Sequence, residues 1–201
     1  MRTIIIIYTT IVFLVIPESV NGQKVSNMEQ FAVVKKAVIQ HDGKMRNARI
    51  ISVKSTFNFD ITDFFHEEMI IANTLRITKP LAHIKMKTGG DHVQFQEGFT
   101  YEMRIYTLGL IPFGGLHYIH IETIDMENKF IQTREKNNIA KVWDHMLKFN
   151  VIDEETITYE DEVTLCAGWL TPILAKYLVV FYKMRHRNWN KLLKDKYEQL
   201  N

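Results

Sequence analysis

The 201-residue sequence contains a single cysteine, Cys166, and only four prolines. One thiol excludes an internal disulfide and a cysteine-rich metal site, and its place in a strand-like segment predicts a buried, inert side chain. Neither sign of charge dominates, because 25 Lys and Arg residues stand against 23 Asp and Glu residues. This balance gives no indication of a nucleic-acid partner. The hydrophobic content of 46% is that of an ordinary globular chain, for which we expect one domain.

The longest apolar run is short and lies near the N-terminus, from Thr3 to Ile16. It follows a charged start and precedes the small-residue site Val20–Gly22. This order predicts a secretory signal over residues 1–22, and therefore an exported or periplasmic protein. Two alternatives stay open. The start can be mis-assigned, with the true one at Met28 or Met45 and a cytoplasmic protein, or the run can be an uncleaved anchor.

Residues 23–47 are polar and mixed, which predicts a linker. A short amphipathic helix ending near Gly43 is a second interpretation, because four apolar residues of this segment recur at helical spacing: Met28, Phe31, Val34 and Val38. The globular domain is then expected over residues 48–194. Residues 195–201 are expected to form a fraying tail.

Alternation and turn residues divide the domain into one strand, short helices and a meander of strands. The first strand is predicted over Arg49–Phe59, and Asp60 or Thr62 can cap one or two short helices that end before Pro80. The later strands are joined by short turn-like connections, so neighbours in sequence should pair antiparallel. These strands are Leu81–Lys87, His92–Gln96, Phe99–Leu108, Gly115–Ile124, Phe130–Lys136, Ile139–Val151 and Glu154–Ala167.

The last segment predicts one long helix that continues to Leu193. Thr171 can cap this helix through its hydroxyl, and Pro172 suits the first helical position. Its apolar stripe is wide and needs a broad partner, which the strands can supply. We therefore predict an α+β fold in which a curved antiparallel sheet of about six to seven strands wraps around the C-terminal helix, with two short helices after the first strand. The stripe consists of Ile173, Leu174, Tyr177, Leu178, Val180, Phe181 and Met184.

Five short segments carry a resemblance to a known family: Arg76–Leu81, Gly109–Gly114, Trp143–His145, Tyr159–Val163 and Arg185–Leu193. With this order of elements, the chain resembles the START-like helix-grip superfamily, also called SRPBCC, which includes polyketide cyclases, lipid-transfer domains and the plant pollen-allergen family. The resemblance covers residues 48–194. It implies a fold, but not a reaction, since one fold hosts many activities.

Polar residues interrupt the inward-facing rows of three predicted strands. Period-two alternation puts Trp143 and His145 on the aromatic face of one strand, and Tyr159 and Asp161 on the apolar face of the next. Glu135 has a similar place on the preceding strand. A buried carboxylate beside a histidine needs a partner, and each strand offers one to its neighbour.

Two hypotheses for Glu135, His145, Tyr159 and Asp161 stay open. In the first, these side chains line one end of the cavity and bind, or act as acid and base on, a ligand carbonyl or hydroxyl. In the second, His145 and Asp161 satisfy one another in a buried network that fixes the strand register. We favour the second, because interior polar pairs are common and nothing marks a nucleophile or leaving group.

The enclosed cavity predicts binding of a small hydrophobic or amphipathic molecule by a carrier or sensor. One alternative is a cyclase-like or hydratase-like enzyme that uses His145 and Asp161 as an acid–base pair. Another is a ligand-free interaction module whose interior is filled. The predicted cavity lining is Tyr101, Met103, Trp143, His145 and Tyr159 from the sheet, with Tyr177, Phe181 and Met184 from the helix.

The sequence predicts neither a metal site nor a cofactor. His117 and His120 point to opposite faces of their strand, and Gly109–Gly115 lacks the lysine of a phosphate loop. Ser55 lies in no recognisable nucleophile motif. The basic segment Lys183–Arg187 can contact anionic lipid, but a solvated helix end is the simpler interpretation. We expect a monomer or a weak dimer.

Overall fold

The structure is a computed structural model that describes residues 28–154 and 156–198, so the predicted signal over residues 1–22 lies outside the described residues. The elements in chain order are β1 (Gln30–His41), β2 (Lys44–Phe57), α1 (Ile61–Met69), α2 (Ile71–Ile77), β3 (Ala82–Met86), β4 (Thr100–Thr107), β5 (Ile111–Asp125), β6 (Phe130–Lys136), β7 (Val142–Val151), β8 (Ile157–Cys166) and α3 (Thr171–Glu198). The eight strands of this part of the chain form one antiparallel sheet in the order β1-β2-β8-β7-β6-β5-β4-β3. The predicted α+β fold, a curved sheet around a C-terminal helix, is confirmed.

The N-terminal hairpin corrects the prediction for residues 23–47. Its described part is neither a linker nor a helix, because β1 pairs with β2 along its whole length. Asp42 and Gly43 form the connection with φ of 50° and 70°, the positive values that a type I′ turn requires. The helix suggested by the apolar spacing is wrong because Val33, Val34, Val38 and Ile39 are β-branched residues, which favour a strand. The sheet therefore extends before residue 48 and includes β1, a strand that was not predicted.

Two short helices and an irregular segment close one end of the sheet. Asp60 caps α1 as predicted, since its carboxylate accepts hydrogen bonds from the backbone N–H groups of Thr62 and Asp63. The strand predicted over His92–Gln96 is wrong. Its only β pairing among the described residues is one isolated bridge, between Ile70 and Gln94, so the segment is held by irregular hydrogen bonds and not by a strand ladder.

Inward-facing rows of the strands build the core as the alternation predicts. On β7 the residues Trp143, His145, Leu147 and Phe149 are buried, and on β8 the same holds from Ile157 to Leu165 at every second position. Register shifts at Arg104/Ile105 and Ile121/Thr123 mark bulges, which increase the local twist of the sheet. The sheet thus presents a concave face to α3.

Helix α3 lies on this face, but with a different buried row from the one predicted. Ile173 and Val180 of the predicted stripe are 36% and 58% exposed. The buried row instead contains two polar residues, Arg185 and His186, which the sequence analysis had assigned to a solvated helix end. Its other members are Thr171, Ala175, Leu178, Tyr182, Trp189, Leu192 and Leu193.

The ends of α3 also differ from the prediction. The Thr171 hydroxyl accepts from the backbone N–H of Ala167 and donates to the carbonyl of Gly168, so it stabilises the preceding turn rather than the helix interior. The helix does not stop at Leu193 but continues to Glu198, where Lys196 pairs with Glu67. The predicted fraying tail is therefore helical as far as it is described. No helix among the described residues is long and apolar enough to cross a membrane.

Gly114 gives the backbone of β5 room beside Asn137. A Cβ at Gly114 would lie 2.5 Å from the side chain of Asn137, which is buried. The Asn137 amide oxygen accepts hydrogen bonds from the backbone N–H groups of Ile139 and Ala140. These two hydrogen bonds fix the backbone just before β7, the strand that carries Trp143 and His145.

We expect Gly114→Ala to destabilise the protein more than Gly109→Ala. Both glycines have positive φ, 66° and 76°, but a Cβ at Gly109 meets nothing within 4 Å. The control therefore reports the backbone cost alone, about 1 kcal/mol. The clash with Asn137 should lower the free energy of unfolding by about 1–3 kcal/mol more. Equal losses for the two variants in urea denaturation would contradict this prediction.

Candidate functional site

A small cavity lies between the concave face of the sheet and α3. Its volume is about 110 Å³, and most of its wall is apolar, with Met103, Ile119, Ile121, Leu147 and Phe181 among the lining residues. Buried charged and polar side chains make up the rest of the wall. The cavity is therefore amphipathic, with an apolar body and one polar side.

Glu135, His117 and His145 form the polar side contributed by the sheet. Glu135 is on β6 and its carboxylate accepts from His117 Nε2 at 2.8 Å and from the Thr133 hydroxyl at 2.7 Å. The Asn137 amide, whose oxygen is fixed by two backbone N–H groups, donates to His117 Nδ1 at 3.1 Å. This geometry assigns the proton of His117 to Nε2, which donates to Glu135.

Asp161 lies behind this wall and joins it to the helix. It is completely buried and accepts hydrogen bonds from His145 Nε2 at 2.7 Å, His186 Nε2 at 2.9 Å and the Arg185 guanidinium at 3.3 Å. Tyr159 also lies within 3.2 Å. The predicted pairing of His145 with Asp161 is confirmed. Two residues of α3, Arg185 and His186, also donate to Asp161, and these contacts were not predicted.

His145 lies between two carboxylates. Its Nε2 meets Asp161, and its Nδ1 lies 3.6 Å from Glu135. Burial alone would lower the pKa of His145, but the hydrogen bond with Asp161 and the contact with Glu135 raise it to about 9. Both nitrogens are thus protonated and directed at anions near neutral pH. Such an imidazolium has no lone pair with which to accept a proton from a ligand.

The carboxylates of this group stay charged for the same reason. Burial would raise the pKa of Glu135, but its hydrogen bond with His117 and the nearby charge of His145 lower it to about 2. Burial likewise opposes the charge of Asp161, whereas Arg185 and the bonds from His145 and His186 lower its pKa below the usual value. A buried ionic cluster of this kind is tolerated only when its lone pairs and protons find partners.

Glu68 of α1 behaves differently from the other two carboxylates. It is 3% exposed and lines the cavity, where it forms an ion pair with Arg185 and accepts from the Tyr159 hydroxyl at 3.2 Å. Burial raises its pKa to about 7, although the Arg185 guanidinium opposes the shift. Among the three carboxylates of the cluster, Glu68 is the one that can gain and lose a proton near neutral pH.

Ser55, His186 and Asp161 form a chain with the residue types of a hydrolase triad. The Ser55 hydroxyl lies 2.6 Å from His186 Nδ1, and the opposite ring nitrogen donates to Asp161. Burial lowers the pKa of His186, so its free nitrogen accepts the serine proton. However, all three side chains are completely buried, and none of them lines the cavity. The chain therefore holds β2 to α3 and offers no nucleophile to a ligand in this structure.

The predicted lining residues divide into two groups. Met103, Trp143, His145, Tyr177 and Phe181 line the cavity, as does Glu135. Tyr101, Tyr159 and Met184 do not line it. The Tyr101 hydroxyl accepts from the backbone N–H of Gln96 and holds the irregular segment in place, and Tyr159 lies behind the wall with Asp161.

Three cavity-lining residues were not predicted, although each carries a signal in its spacing: Glu68, His117 and Arg185. Arg185 follows Leu178 and Tyr182 at seven and three residues, which is helical spacing on one face. Glu68 is four residues after the buried Phe64, and His117 alternates with Ile119 and Ile121. Of the three, only Arg185 was assigned to a solvated surface, and His117 was considered only as a metal ligand. In this part of the chain, no group of three or more His, Cys, Asp or Glu residues is arranged to hold a metal ion.

Solved structures share this fold at low sequence identity. A norcoclaurine synthase point mutant of Thalictrum flavum, in complex with a transition-state analogue, matches with a TM-score of 0.57 and 9% identity over 80% of this chain and 98% of the synthase. Major latex-like protein 151 of Panax ginseng matches with a TM-score of 0.53 and 13% identity over 72% and 96% of the two chains. CalU16 of Micromonospora echinospora matches with a TM-score of 0.51 and 10% identity over 83% and 84%.

No protein-family model and no curated protein matches this sequence. At identities of 9–13% the structural matches establish the fold alone. The chain has the helix-grip fold that its sequence resemblance implies. On this fold the chain builds a small amphipathic cavity and a buried ionic cluster centred on Asp161.

We expect the free energy of unfolding to fall between pH 6.5 and pH 9. His145 has a folded-state pKa of about 9 against an ordinary value of 6.5, so its stabilisation is present below pH 6.5 and is lost as the pH rises through 9. The linked loss is about 3 kcal/mol. Urea denaturation across this range measures it. His145→Gln should remove most of the slope, whereas His120→Gln, near the surface, should keep it. A slope that persists in His145→Gln would contradict the assignment.

Proposed function

We propose that the protein binds a small amphipathic molecule in the cavity between the sheet and α3. The observation that carries this proposal is the composition of the wall, which joins apolar side chains to the buried polar groups Glu68, Glu135, His145 and Arg185. Ligand sites in proteins combine mostly apolar walls with a few convergent polar groups in this way. The matched norcoclaurine synthase was solved in complex with a transition-state analogue, so at least one protein of this fold binds a small molecule.

The volume of the cavity limits the size of the ligand. At about 110 Å³ it is smaller than typical ligand pockets, which hold about 300–1,000 Å³. An apolar cavity of about 150 Å³ can bind benzene. A molecule with one ring, or a short branched chain of similar size, is therefore the expected ligand. A larger ligand requires that lining side chains move.

The ionic cluster supports binding more than catalysis by the predicted pair. His145 directs both nitrogens at carboxylates, and Asp161 lies behind the wall, so neither can exchange a proton with a ligand without breaking the cluster. Their arrangement instead fixes the polar side of the cavity. A rigid polar side sets the orientation of a bound molecule at low entropic cost.

Filling the cavity should weaken binding of a one-ring amphipathic probe, 4-fluorophenol, measured by ¹⁹F NMR titration of the full chain. Ala82 is buried and lines the cavity, so Ala82→Leu places three additional carbon atoms inside it. We expect at least about a tenfold loss of affinity, because overpacking costs about 1–3 kcal/mol. The matched control is Ala72→Leu, at an exposed position of α2.

Two results would count against the proposal. An unchanged affinity in Ala82→Leu would place the probe elsewhere on the protein. If 4-fluorophenol does not bind and no small molecule co-purifies with the chain, the ligand-free interaction module is favoured instead. Native mass spectrometry of protein purified from its own host identifies any co-purifying molecule.

A second candidate function, acid–base catalysis on the bound molecule, is favoured by Glu68. This carboxylate lines the cavity, and its pKa of about 7 allows both protonation states near neutral pH. In this reaction Glu68 takes a proton from the carbon beside a ligand carbonyl, leaving an enolate, and returns a proton to the same carbon. His145 and Arg185 then hold charges around the site rather than transfer protons.

Deuterium exchange tests this candidate with cyclohexanone in D₂O. We expect the wild-type chain to exchange the α-hydrogens above the protein-free rate, with a rate that rises through about pH 7 as Glu68 ionises. Glu68→Gln should lose at least about tenfold of this rate. Glu67→Gln, the adjacent residue paired with Lys196 at the surface, should keep it. Exchange at the background rate, or equal rates in the two variants, would exclude catalysis by Glu68.

A further inference from the structure

Two cavity-lining residues each have one buried polar atom with no hydrogen-bond partner within the described residues. These atoms are Nε of Arg185 and the hydroxyl oxygen of Thr74. Buried polar groups are satisfied in the great majority of cases, so each exception calls for a reason. A third such atom, Nε1 of Trp189, lies in the aromatic core and not on the cavity wall.

The contacts of Arg185 hold its Nε in one place. Its two terminal nitrogens pair with Glu68 and Asp161, and the guanidinium lies 5.9 Å from the ring centre of Tyr182. The side chain is only 5% exposed. Because two carboxylates fix the planar group, Nε cannot turn toward another partner without breaking both ion pairs.

Thr74 differs from the neighbouring threonine of the same wall. Thr78 also lines the cavity, but its hydroxyl donates to the carbonyl of Leu75 at 3.2 Å. The Thr74 hydroxyl makes no such bond within the described chain. The two residues therefore provide a satisfied and an unsatisfied hydroxyl on one cavity wall.

The chemistry of these atoms defines the ligand group that fits. Nε of Arg185 can only donate, and a threonine hydroxyl can donate or accept, so the complementary group is an acceptor oxygen. An additional negative charge is disfavoured because Glu68 and Glu135 already line the cavity and Asp161 lies behind it. The positive charges of Arg185 and His145 are already paired with these carboxylates.

We propose that Arg185 Nε and the Thr74 hydroxyl together form the polar recognition point of the cavity, and that they bind the carbonyl oxygen of a small neutral molecule whose apolar body fills the remaining space. This inference rests on the proposed ligand binding and assigns its chemical class.

A matched pair of ligands tests the inference on the full chain. Cyclohexanone and methylenecyclohexane have nearly the same shape, but only the ketone has an acceptor oxygen. We compare the ratio of their affinities between variants by NMR titration, so that the different hydration of the two ligands cancels. Thr74→Val should lower the ketone-to-alkene ratio about fivefold, the effect of one lost hydrogen bond. Thr78→Val, whose hydroxyl is already satisfied, should leave the ratio unchanged.

A second readout needs no substitution. The Nε–H proton of Arg185 in ¹⁵N-labelled wild-type protein should shift on titration with cyclohexanone and not with methylenecyclohexane. If both ligands bind but the ratio is the same in all variants and this proton does not shift, the recognition point is wrong and cavity binding stands. If neither ligand binds the wild-type chain, the proposed binding function and this inference both fail.

Discussion

The buried carboxylate of Asp161 is the constraint on which the rest of the structure depends. It receives N–H groups from β7 through His145 and from α3 through Arg185 and His186, so one residue of β8 joins the sheet to the helix. Removing one of its charged partners, His145 or Arg185, would leave buried charge uncompensated, which costs about 3–5 kcal/mol. The helix must therefore lie in one rotation and one position on the sheet. The cavity is the space that this position leaves beside the cluster.

The same constraint determines which groups can act on a ligand. Because Asp161 and Glu135 hold His145 as a cation, the residue that looks most like a catalytic base in the sequence contributes charge and geometry instead. Glu68 is also paired with a cation, yet desolvation dominates its pKa. The pKa of Glu135 is lowered and that of Glu68 is raised because the two carboxylates differ in their number of cationic partners. Glu135 has two histidine partners, whereas Glu68 shares Arg185 with Asp161.

The sequence predicted the strands and their inner faces well, because alternation along β7 and β8 reports burial directly. It therefore placed His145 and Asp161 side by side in the interior. The sequence-based prediction failed where a charged residue can be either exposed or buried, and where a β-branched residue fits either a helix or a strand. Arg185 and His186 were taken for a solvated helix end because hydropathy assigns such residues to water, and only their tertiary partner Asp161 makes burial favourable. β1 was missed because its apolar residues also match helical spacing over a short length.

The cavity lining was harder to predict than the buried faces, since both core and cavity residues point inward. Tyr159 and Trp143 face the same side of the sheet, yet only Trp143 lines the cavity, because Phe57, Phe64 and Phe149 surround the Tyr159 ring. No periodicity in a single strand encodes whether the facing element fills the space. Two of the three unsatisfied buried side-chain atoms of the described residues, those of Arg185 and Thr74, belong to residues that line the cavity, and the third, on Trp189, does not. A cluster that served register alone could satisfy every donor internally, as Ser55, His186 and Asp161 do. Arg185 and Thr74, which line the cavity, each keep one unpartnered polar atom, so this side of the cavity has polar capacity beyond what the fold uses.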